Sequence, residues 1–259
     1  MKLRKYALVW LKTSALSLET ILTTKAASLM YLSGKFIRFF FFLWFLLRLG
    51  EQIEKVSGFD IDQLVTFFLV FNLFDLIGQI FFRGVYWFRQ EIVTGEFDLI
   101  LLKPIGTLFQ IMTKRTDVLD IPLFLLVVGM LVKRNLDLTL KQGLVFAVMA
   151  TASFVLIMAI HVLVVSIGVL TTEVDHTIMI YRDLSSMARV PIDIYIRPIQ
   201  ALLTFVAPIA VIMTFPAKAL MGILTWRWSV FGLIIASLFF TFVWRFWRYA
   251  LSQYSSASS

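Results

Sequence analysis

The chain has 259 residues, of which 60% are hydrophobic, 15% aromatic and only 15% charged, whereas an ordinary soluble domain carries roughly a quarter charged residues. This composition excludes a water-soluble globule, and the 26 Phe residues exclude a disordered chain. The net charge of +8 would suggest nucleic acid in a soluble protein, but here the charges separate apolar blocks. We therefore expect a membrane protein with no nucleic-acid partner, whose basic residues set its topology next to membrane lipids.

The two ends of the chain differ from its apolar middle. Residues 1–34 mix basic and apolar side chains too closely for a buried helix and predict an interfacial helix on the cytoplasmic face, with a poorly ordered basic tail as the alternative. The start lacks the pattern of a cleaved signal peptide. Residues 251–259 are small and polar and predict a short cytoplasmic tail. With no cysteine, the chain offers no disulfide and no thiolate metal ligand.

Membrane spans were predicted from stretches of about 20 mostly apolar residues. Three stretches are free of charge, between Lys141 and Glu173, Arg197 and Lys218, and Arg227 and Arg245. Three further spans are interrupted by charge. The fold class is therefore an all-α membrane protein in which residues 35–250 form six transmembrane helices, near 36–56, 63–84, 116–134, 143–170, 198–217 and 228–248.

An even number of spans places both termini on one side of the membrane. With both termini inside, 17 basic residues lie on the cytoplasmic side and seven outside, which is the asymmetry that the positive-inside rule favours. In this assignment Arg182, Arg189 and Arg197 are cytoplasmic and Lys218 is outside. We expect a multi-pass protein of the cell inner membrane with cytoplasmic termini.

The segment 88–104, between the second and third predicted spans, is amphipathic but does not read as a span. Gly95 can supply a turn that other residues avoid, and Pro104 is expected to end the apolar run 99–102. Glu96 and Asp98 place acidic groups next to an apolar surface. This combination favours docking onto a partner protein from the cytoplasm. An interfacial helix without a partner is the alternative.

The residues of this segment resemble a motif of type-2 ABC exporter permeases, at the spacing Glu-x-x-x-Gly-Glu-x-Asp-x-x-Leu-Leu-x-Pro. The end of the chain, residues 254–258, is similar to the bacterial branch of that family whose members end in Tyr-Ser-Ser-Ala-Ser/Gly. Residues 191–195 and 203–217 also resemble this branch. The resemblance covers essentially the whole chain. The loop residues that match the motif are Glu91, Gly95, Glu96, Asp98, Leu101, Leu102 and Pro104.

The resemblance implies the type-2 ABC exporter fold and a permease that pairs with itself or with a sister six-span chain. It further implies two copies of a separate ABC ATPase, held by the loop after the second span, the coupling helix of the family. Under this reading the seven matching loop residues couple the chain to the ATPase. The chain contains no Gly-x-x-x-x-Gly-Lys-Ser/Thr phosphate loop. We therefore expect a non-catalytic subunit that binds no cofactor, with ATP and Mg²⁺ on the ATPase.

Asp75 is an ionisable residue inside a predicted span, which costs at least a few kcal/mol on insertion scales. Asn72 and Gln79 lie three and four residues away and therefore share its side of the helix. This polar stripe either faces a translocation path or hydrogen-bonds neighbouring helices, and the sequence does not choose between the two.

Other polar residues predict structural roles. His161 is expected to pack within its span. Asp117 and Asp120 are expected to form an ion-pair cluster at the cytoplasmic rim beside Lys114 and Arg115. His176, Glu173 and Asp175 are too few ligands for a metal site, so no metal is expected. Residues 216–228 predict a short surface or re-entrant helix at the outer interface, for which the resemblance implies a lid and a plain turn is the alternative.

The leading functional hypothesis is a permease that exports an amphiphilic or lipid-like substrate by alternating access. A secondary transporter is one alternative, but the sequence shows neither the intramembrane charge nor the repeat symmetry typical of that class. An integral membrane enzyme is the other, and no dense cluster of acidic or His residues supports it.

Overall fold

The computed structural model describes residues 2–52, 55–56 and 58–255. Two short strands, β1 (Lys55–Val56) and β2 (Phe59–Asp60), pair antiparallel between the second and third helices. Single turns of 3₁₀ and π helix lengthen or join several helices. The α-helices are α1 (Lys2–Thr23), α2 (Lys25–Gly50), α3 (Ile61–Phe82), α4 (Phe88–Val93), α5 (Glu96–Leu101), α6 (Thr107–Thr113), α7 (Ile121–Arg134), α8 (Leu140–Thr171), α9 (Val174–Ser186), α10 (Arg197–Ala201), α11 (Phe215–Leu220) and α12 (Trp226–Gln253).

The predicted helical membrane protein is confirmed, but the count of six spans is not. Among the described residues, four helices are long and apolar enough to cross a membrane: α2, α3 with its continuation to Val93, α8 and α12. A bent helix pair would make a fifth. Helix α7 has only 14 residues, or about 21 Å of helix, which is shorter than the hydrocarbon core.

Helices α3 and α8 form the centre of the bundle. Each begins at a capping box, Asp60 with Gln63 for α3 and Thr139 with Gln142 for α8, which satisfies the free backbone N–H groups of the first turn. The most apolar 18-residue stretch of each helix is mostly buried, and α8 packs along α12 and α11. Their apolar character on all sides is therefore explained by neighbouring helices as well as by lipid.

The N-terminal helix ends earlier than predicted. The break lies at Thr24, and α2 then runs without interruption from Lys25 to Gly50, so the boundary at residue 34 falls inside a helix. Helix α1 lies against α3 and α6: the Trp10 ring stacks on Phe81 with 5.5 Å between centroids, and Tyr6 meets Phe109 edge to face at 4.7 Å. Its position at the membrane surface stays a prediction.

The predicted span 198–217 is not one straight helix. Arg197–Val206 and Ala210–Leu220 form a pair bent by 85°. Pro208 lies in the break, where it removes a backbone donor and disfavours helical geometry at Ala207, whose φ of −111° and ψ of 92° are extended. The charge-free gap in the sequence indicated one span, but the proline divides it. The predicted outer helix at 216–228 is likewise divided between α11 and the start of α12.

The stretch from α9 to Ile194 connects opposite ends of the bundle. At its start Asp175 pairs with Arg89, 3.7 Å apart, next to α4. Near its end Asp193 accepts a hydrogen bond of 2.7 Å from Lys218, whose ammonium also lies 5.8 Å from the ring of Phe59 in β2. Strand β2 leads into the first turn of α3, and α4 follows the last turn of α3.

The prediction that residues 173–197 are cytoplasmic while Lys218 lies outside is therefore wrong, because Asp193 and Lys218 touch. The charges in this stretch favoured an aqueous loop. In the structure Arg182 and Arg189 line a partly open cavity, where a charged side chain can keep contact with water.

Candidate functional site

The segment 88–104 folds into two short helices separated by a sharp turn. Helix α4 ends at Val93, Gly95 adopts the left-handed conformation with φ of 74°, and α5 begins at Glu96. A Cβ atom on Gly95 would meet no atom within 4 Å. The turn therefore requires glycine for its backbone conformation and not for space.

Aromatic side chains anchor this segment to the rest of the bundle. Phe88 and Phe97 are fully buried and meet edge to face at 5.1 Å, and Phe97 meets Tyr254 in the same way at 4.8 Å. At the end of α8, a Cβ atom on Gly168 would lie 3.4 Å from Phe88 and 2.5 Å from Val174. The ends of α8, α9 and α12 thus converge on α4 and α5.

Lys114 ties the two short helices together. Its ammonium donates to Glu91 at 2.8 Å and to Glu96 at 2.9 Å. We call these three side chains the clasp. The hydrogen bond from Lys114 holds the pKa of Glu96 below its ordinary value. Partial burial opposes the charge on Lys114, but the two carboxylates prevail and raise the pKa of its ammonium.

The predicted coupling residues divide by exposure. Glu96, Leu102 and Pro104 are exposed, and Gly95, Asp98 and Leu101 are half-buried. Glu91 is buried within the clasp, where it holds the two short helices together.

An apolar face of the segment remains open. Val93 is 64% exposed, Leu99 61% and Leu102 82%. We call Val93, Leu99 and Leu102, with the neighbouring Glu96, the docking face. Sequence reasoning did not include Val93 and Leu99 among the coupling residues. The alternation of buried Phe97 and Ile100 with exposed Leu99 and Leu102 along α5 and its end was the signal that could have found them.

The rim cluster has a different cation from the predicted ones. Lys35 of α2 forms ion pairs with Asp120 and, at 3.5 Å, with Asp117, and the Tyr31 hydroxyl donates to Asp117 at 3.0 Å. Lys114 belongs to the clasp instead. Arg115 lies over the Trp87 ring at 4.2 Å. The prediction of Lys114 and Arg115 as partners is therefore wrong, because Lys35 reaches the carboxylates from another helix.

A cavity of about 790 Å³ lies between α2, α3 and α9. All three residues of the predicted polar stripe are on its wall. Asn72 donates to the carbonyl of Phe68 in its own helix, and Gln79 accepts from Arg83 at 2.7 Å. Asp75 has no ion pair within 4.0 Å among the described residues. The other main lining residues are Tyr31, Lys35, Arg38, Phe39, Phe42, Phe68, Phe71, Arg83, His161, Tyr181, Arg182, Asp183 and Arg189.

The two histidines occupy different environments. His161 is buried, with its ring 5.1 Å from Phe82 and 5.3 Å from Tyr181, and its Nδ1 lies 2.8 Å from the carbonyl of Ile157. His176 is exposed and its Nδ1 lies 2.7 Å from Glu173.

In the part of the chain that the structure describes, no group of three or more His, Cys, Asp or Glu side chains is placed to hold a metal ion.

A comparison with known protein families matches residues 29–258 to the model described as ABC-2 family transporter protein. No curated protein and no solved structure matches the chain at a significant level. The family match covers most of the chain, and the long apolar helices agree with it. The chain therefore belongs to the ABC-2 transporter family and is a transmembrane permease of that family.

Proposed function

We propose that this chain is the membrane-spanning subunit of an ATP-binding cassette exporter, which moves an amphiphilic substrate by alternating access while a separate ATPase supplies the energy. Family membership supports the transport role, and the cavity between α2, α3 and α9 offers a volume typical of ligand sites. The complex contains two permeases, identical or sister chains, and two ATPase subunits that bind ATP and Mg²⁺.

The docking face is the observation that carries the ATPase partnership. Leu102, at 82% exposure, and its neighbours form an apolar surface, while the polar groups beneath them are paired within the clasp. Exposed apolar surface rimmed by polar residues marks a protein or membrane contact, and the proposed cytoplasmic position of the segment 88–104 favours a protein. The docking face, with Gly95, Asp98, Leu101 and Pro104 beside it, lies in a groove of the ATPase in our proposal.

The packing of the segment gives a route from the ATPase to the cavity. Phe88 and Phe97 tie α4 and α5 to the ends of α8, α9 and α12. Helix α9 also carries Tyr181 and Arg182 on the cavity wall. A displacement of the docking face when the ATPase closes on ATP would therefore tilt a wall of the cavity, which is a rigid-body transition of the kind used in alternating access.

The proposed topology keeps six crossings, but the stretch from α9 to Ile194 takes the place of the predicted span 198–217. We place the crossings at α2, α3, the stretch 118–134 in which a 3₁₀ turn lengthens α7, α8, the stretch from α9 to Ile194, and α12. Both termini then lie in the cytoplasm of a cell whose inner membrane holds the protein. The contact between Asp193 and Lys218 supports the fifth crossing. The bent pair 197–220 then enters from the outer side and returns to it, and it covers the outer end of the bundle as a lid.

Co-purification tests the proposed partnership. The chain is co-expressed with the ABC ATPase of its gene neighbourhood, and the ATPase retained on the tagged chain is measured. The double variant L99D/L102D should lose the ATPase, because two carboxylates cannot be buried unpaired in an apolar groove. Leu136→Asp changes an equally exposed leucine between α7 and α8 and should retain it. A folded wild-type chain that never retains the ATPase would overturn the proposal.

A further inference from the structure

The cavity carries more positive charge than its own carboxylates can neutralise. Arg38, Arg83, Arg182 and Arg189 line it, and none has a carboxylate within 4.0 Å among the described residues. Asp75 and Asp183 are the carboxylates on the wall. The fifth cation, Lys35, is already neutralised by Asp117 and Asp120.

Three of the four arginines, Arg83, Arg182 and Arg189, lie beside aromatic rings, which leave their charge unmatched. Arg83 lies 4.5 Å from the centre of the Tyr86 ring, and Arg189 lies 5.8 Å from that of Phe71. Asp75 interacts electrostatically with Arg38, Arg182 and Arg189, but one carboxylate cannot balance three guanidinium groups. Arg38 and Arg182 are exposed and Arg83 and Arg189 are half-buried, so the excess positive charge of the open cavity is accessible to a ligand of opposite sign.

The opposite end of the cavity is aromatic. Helices α2 and α3 are joined by the β1–β2 hairpin, and near that hairpin Phe42 stacks on Phe68 at 4.8 Å while Phe39 stacks on Phe68 at 5.3 Å. Further along α3, away from the hairpin, come Asp75, Gln79 and then Arg83. Arg83 and Arg182 lie beside the Tyr86 ring, at 4.5 and 5.9 Å from its centre, and form a basic end towards the segment 88–104. Arg189 lies beside Phe71, closer to the aromatic residues.

We propose, on the basis of the proposed transport function, that the substrate is an anionic amphiphile with a phosphate-type headgroup. The planar guanidinium groups of Arg83 and Arg182, which lie beside the same Tyr86 ring, bind the headgroup oxygens, since arginine matches phosphate geometry with paired N–H donors. The apolar chain lies along Phe39, Phe42 and Phe68. Four arginines against two wall carboxylates leave room for the double charge of a phosphate monoester.

Binding to the purified permease without any ATPase tests this inference. The chain is placed in nanodiscs of neutral phosphatidylcholine and titrated calorimetrically with dodecyl phosphate, inorganic phosphate and dodecyltrimethylammonium, with empty discs as blanks. Dodecyl phosphate should bind saturably and more weakly at high salt, and dodecyltrimethylammonium should show no saturable binding. The inorganic phosphate arm shows whether the apolar chain contributes, and we expect it to bind at least about tenfold more weakly.

Matched arginine variants locate the site. R83Q/R182Q should weaken dodecyl phosphate binding at least about tenfold, because it removes the charge-assisted hydrogen bonds to the headgroup. Arg245→Gln removes an exposed charge on α12, away from the cavity, and should change nothing. Phe42→Ala should weaken dodecyl phosphate but not inorganic phosphate.

Three results would overturn the inference: saturable binding of the cationic amphiphile, unchanged anion affinity in R83Q/R182Q protein that elutes and melts like wild type, or equal affinity for inorganic and dodecyl phosphate. None of these depends on an ATPase. Failure of co-purification with the ATPase would therefore leave the binding result standing, and failure of binding would leave the ATPase partnership standing.

Discussion

The segment 88–104, which we call the coupling segment after its proposed role, and the cavity both contain several charged side chains. Among the described residues, the charges of the clasp are paired, whereas the arginines of the cavity are not. In the coupling segment Lys114 is bonded to Glu91 and Glu96, and the surface that remains open is apolar. In the cavity the arginines lack carboxylate partners among the described residues, so their guanidinium groups remain accessible to a ligand. Paired charges fix a shape for a partner that binds through apolar contacts, whereas unpaired charges are suited to bind an ion.

The difference has an energetic basis. Removing one member of a buried pair leaves the other carboxylate desolvated and unpaired, which is strongly unfavourable. Removing an unpaired cation from a wet cavity leaves nothing behind and relieves repulsion among its neighbours. Substitutions of charged residues in the coupling segment should therefore lower the stability of the protein. Substitutions of the cavity arginines should instead weaken ligand binding.

The largest expected effect is an all-or-none change in labelling, and it tests whether α9 belongs to the cavity. The chain has no cysteine, so single cysteines can be introduced without background. Asp193→Cys and Lys218→Cys should both react with a membrane-impermeant maleimide in spheroplasts, because the two side chains touch. Glu96→Cys, on the docking face, should react only after permeabilisation. Labelling of residue 218 but not 193 in sealed cells would place α9 outside the bundle and break the comparison.

The next effect concerns the packing that seats the coupling segment. A Cβ atom on Gly84 would lie 2.0 Å from the carbonyl oxygen of Ile111, and a backbone oxygen has little freedom to move. Gly84→Ala should therefore cost about 3 kcal/mol, measured as a loss of free energy of unfolding in detergent. Gly34→Ala, where the new Cβ meets nothing within 4 Å, is the control and should not destabilise. Equal melting of both variants would show that α3 and α6 are not packed as described.

Lys114→Gln and Arg182→Gln remove one cation from each region and compare them directly. Lys114→Gln leaves Glu91, whose side chain is 5% exposed, without its cation and should cost about 2 kcal/mol, less than a fully buried pair because Lys114 is partly solvated. Arg182→Gln should change the free energy of unfolding by less than about 0.5 kcal/mol. E91Q/K114Q should recover part of the loss. A reversed order of the two single variants would contradict the distinction between paired and unpaired charge.

The sequence predicted the apolar part of this fold well because charge-free runs are direct evidence of a lipid or protein-buried environment. The cores of α3, α8 and α12 follow from that rule. The rule gave a wrong result at α9, because Arg182 and Arg189 line a cavity. It also failed at Pro208, where the backbone bends an apolar run.

The candidate site was only partly predictable for a related reason. The spacing of Gly95, Pro104 and the acidic residues predicted a turn between two short amphipathic pieces, and the turn at Gly95 is confirmed; the contact of this segment with an ATPase, implied by the family resemblance, stays a prediction. The cation of the clasp, Lys114, is 23 positions from Glu91, and the cation of the rim cluster, Lys35, is 85 positions from Asp120. Partners at such separations are chosen by tertiary packing, which no local pattern encodes.

The smallest expected effect is a shift in the titration of Glu96. Because Lys114 lowers the pKa of Glu96 from its ordinary value of 4.5, the pair stabilises the segment above that pH and is lost only as the pH falls through the lowered pKa. At high pH the stabilisation by this pair is lost as the pH rises through the pKa of Lys114, which is raised above 10.5. The ¹³C carboxyl signal of Glu96, assigned with Glu96→Gln, should titrate below 4.5 in wild type and move upwards in Lys114→Gln. If the titration of Glu96 is the same in wild type and Lys114→Gln, Lys114 does not pair with Glu96. The docking face would then carry an unpaired charge like those of the cavity.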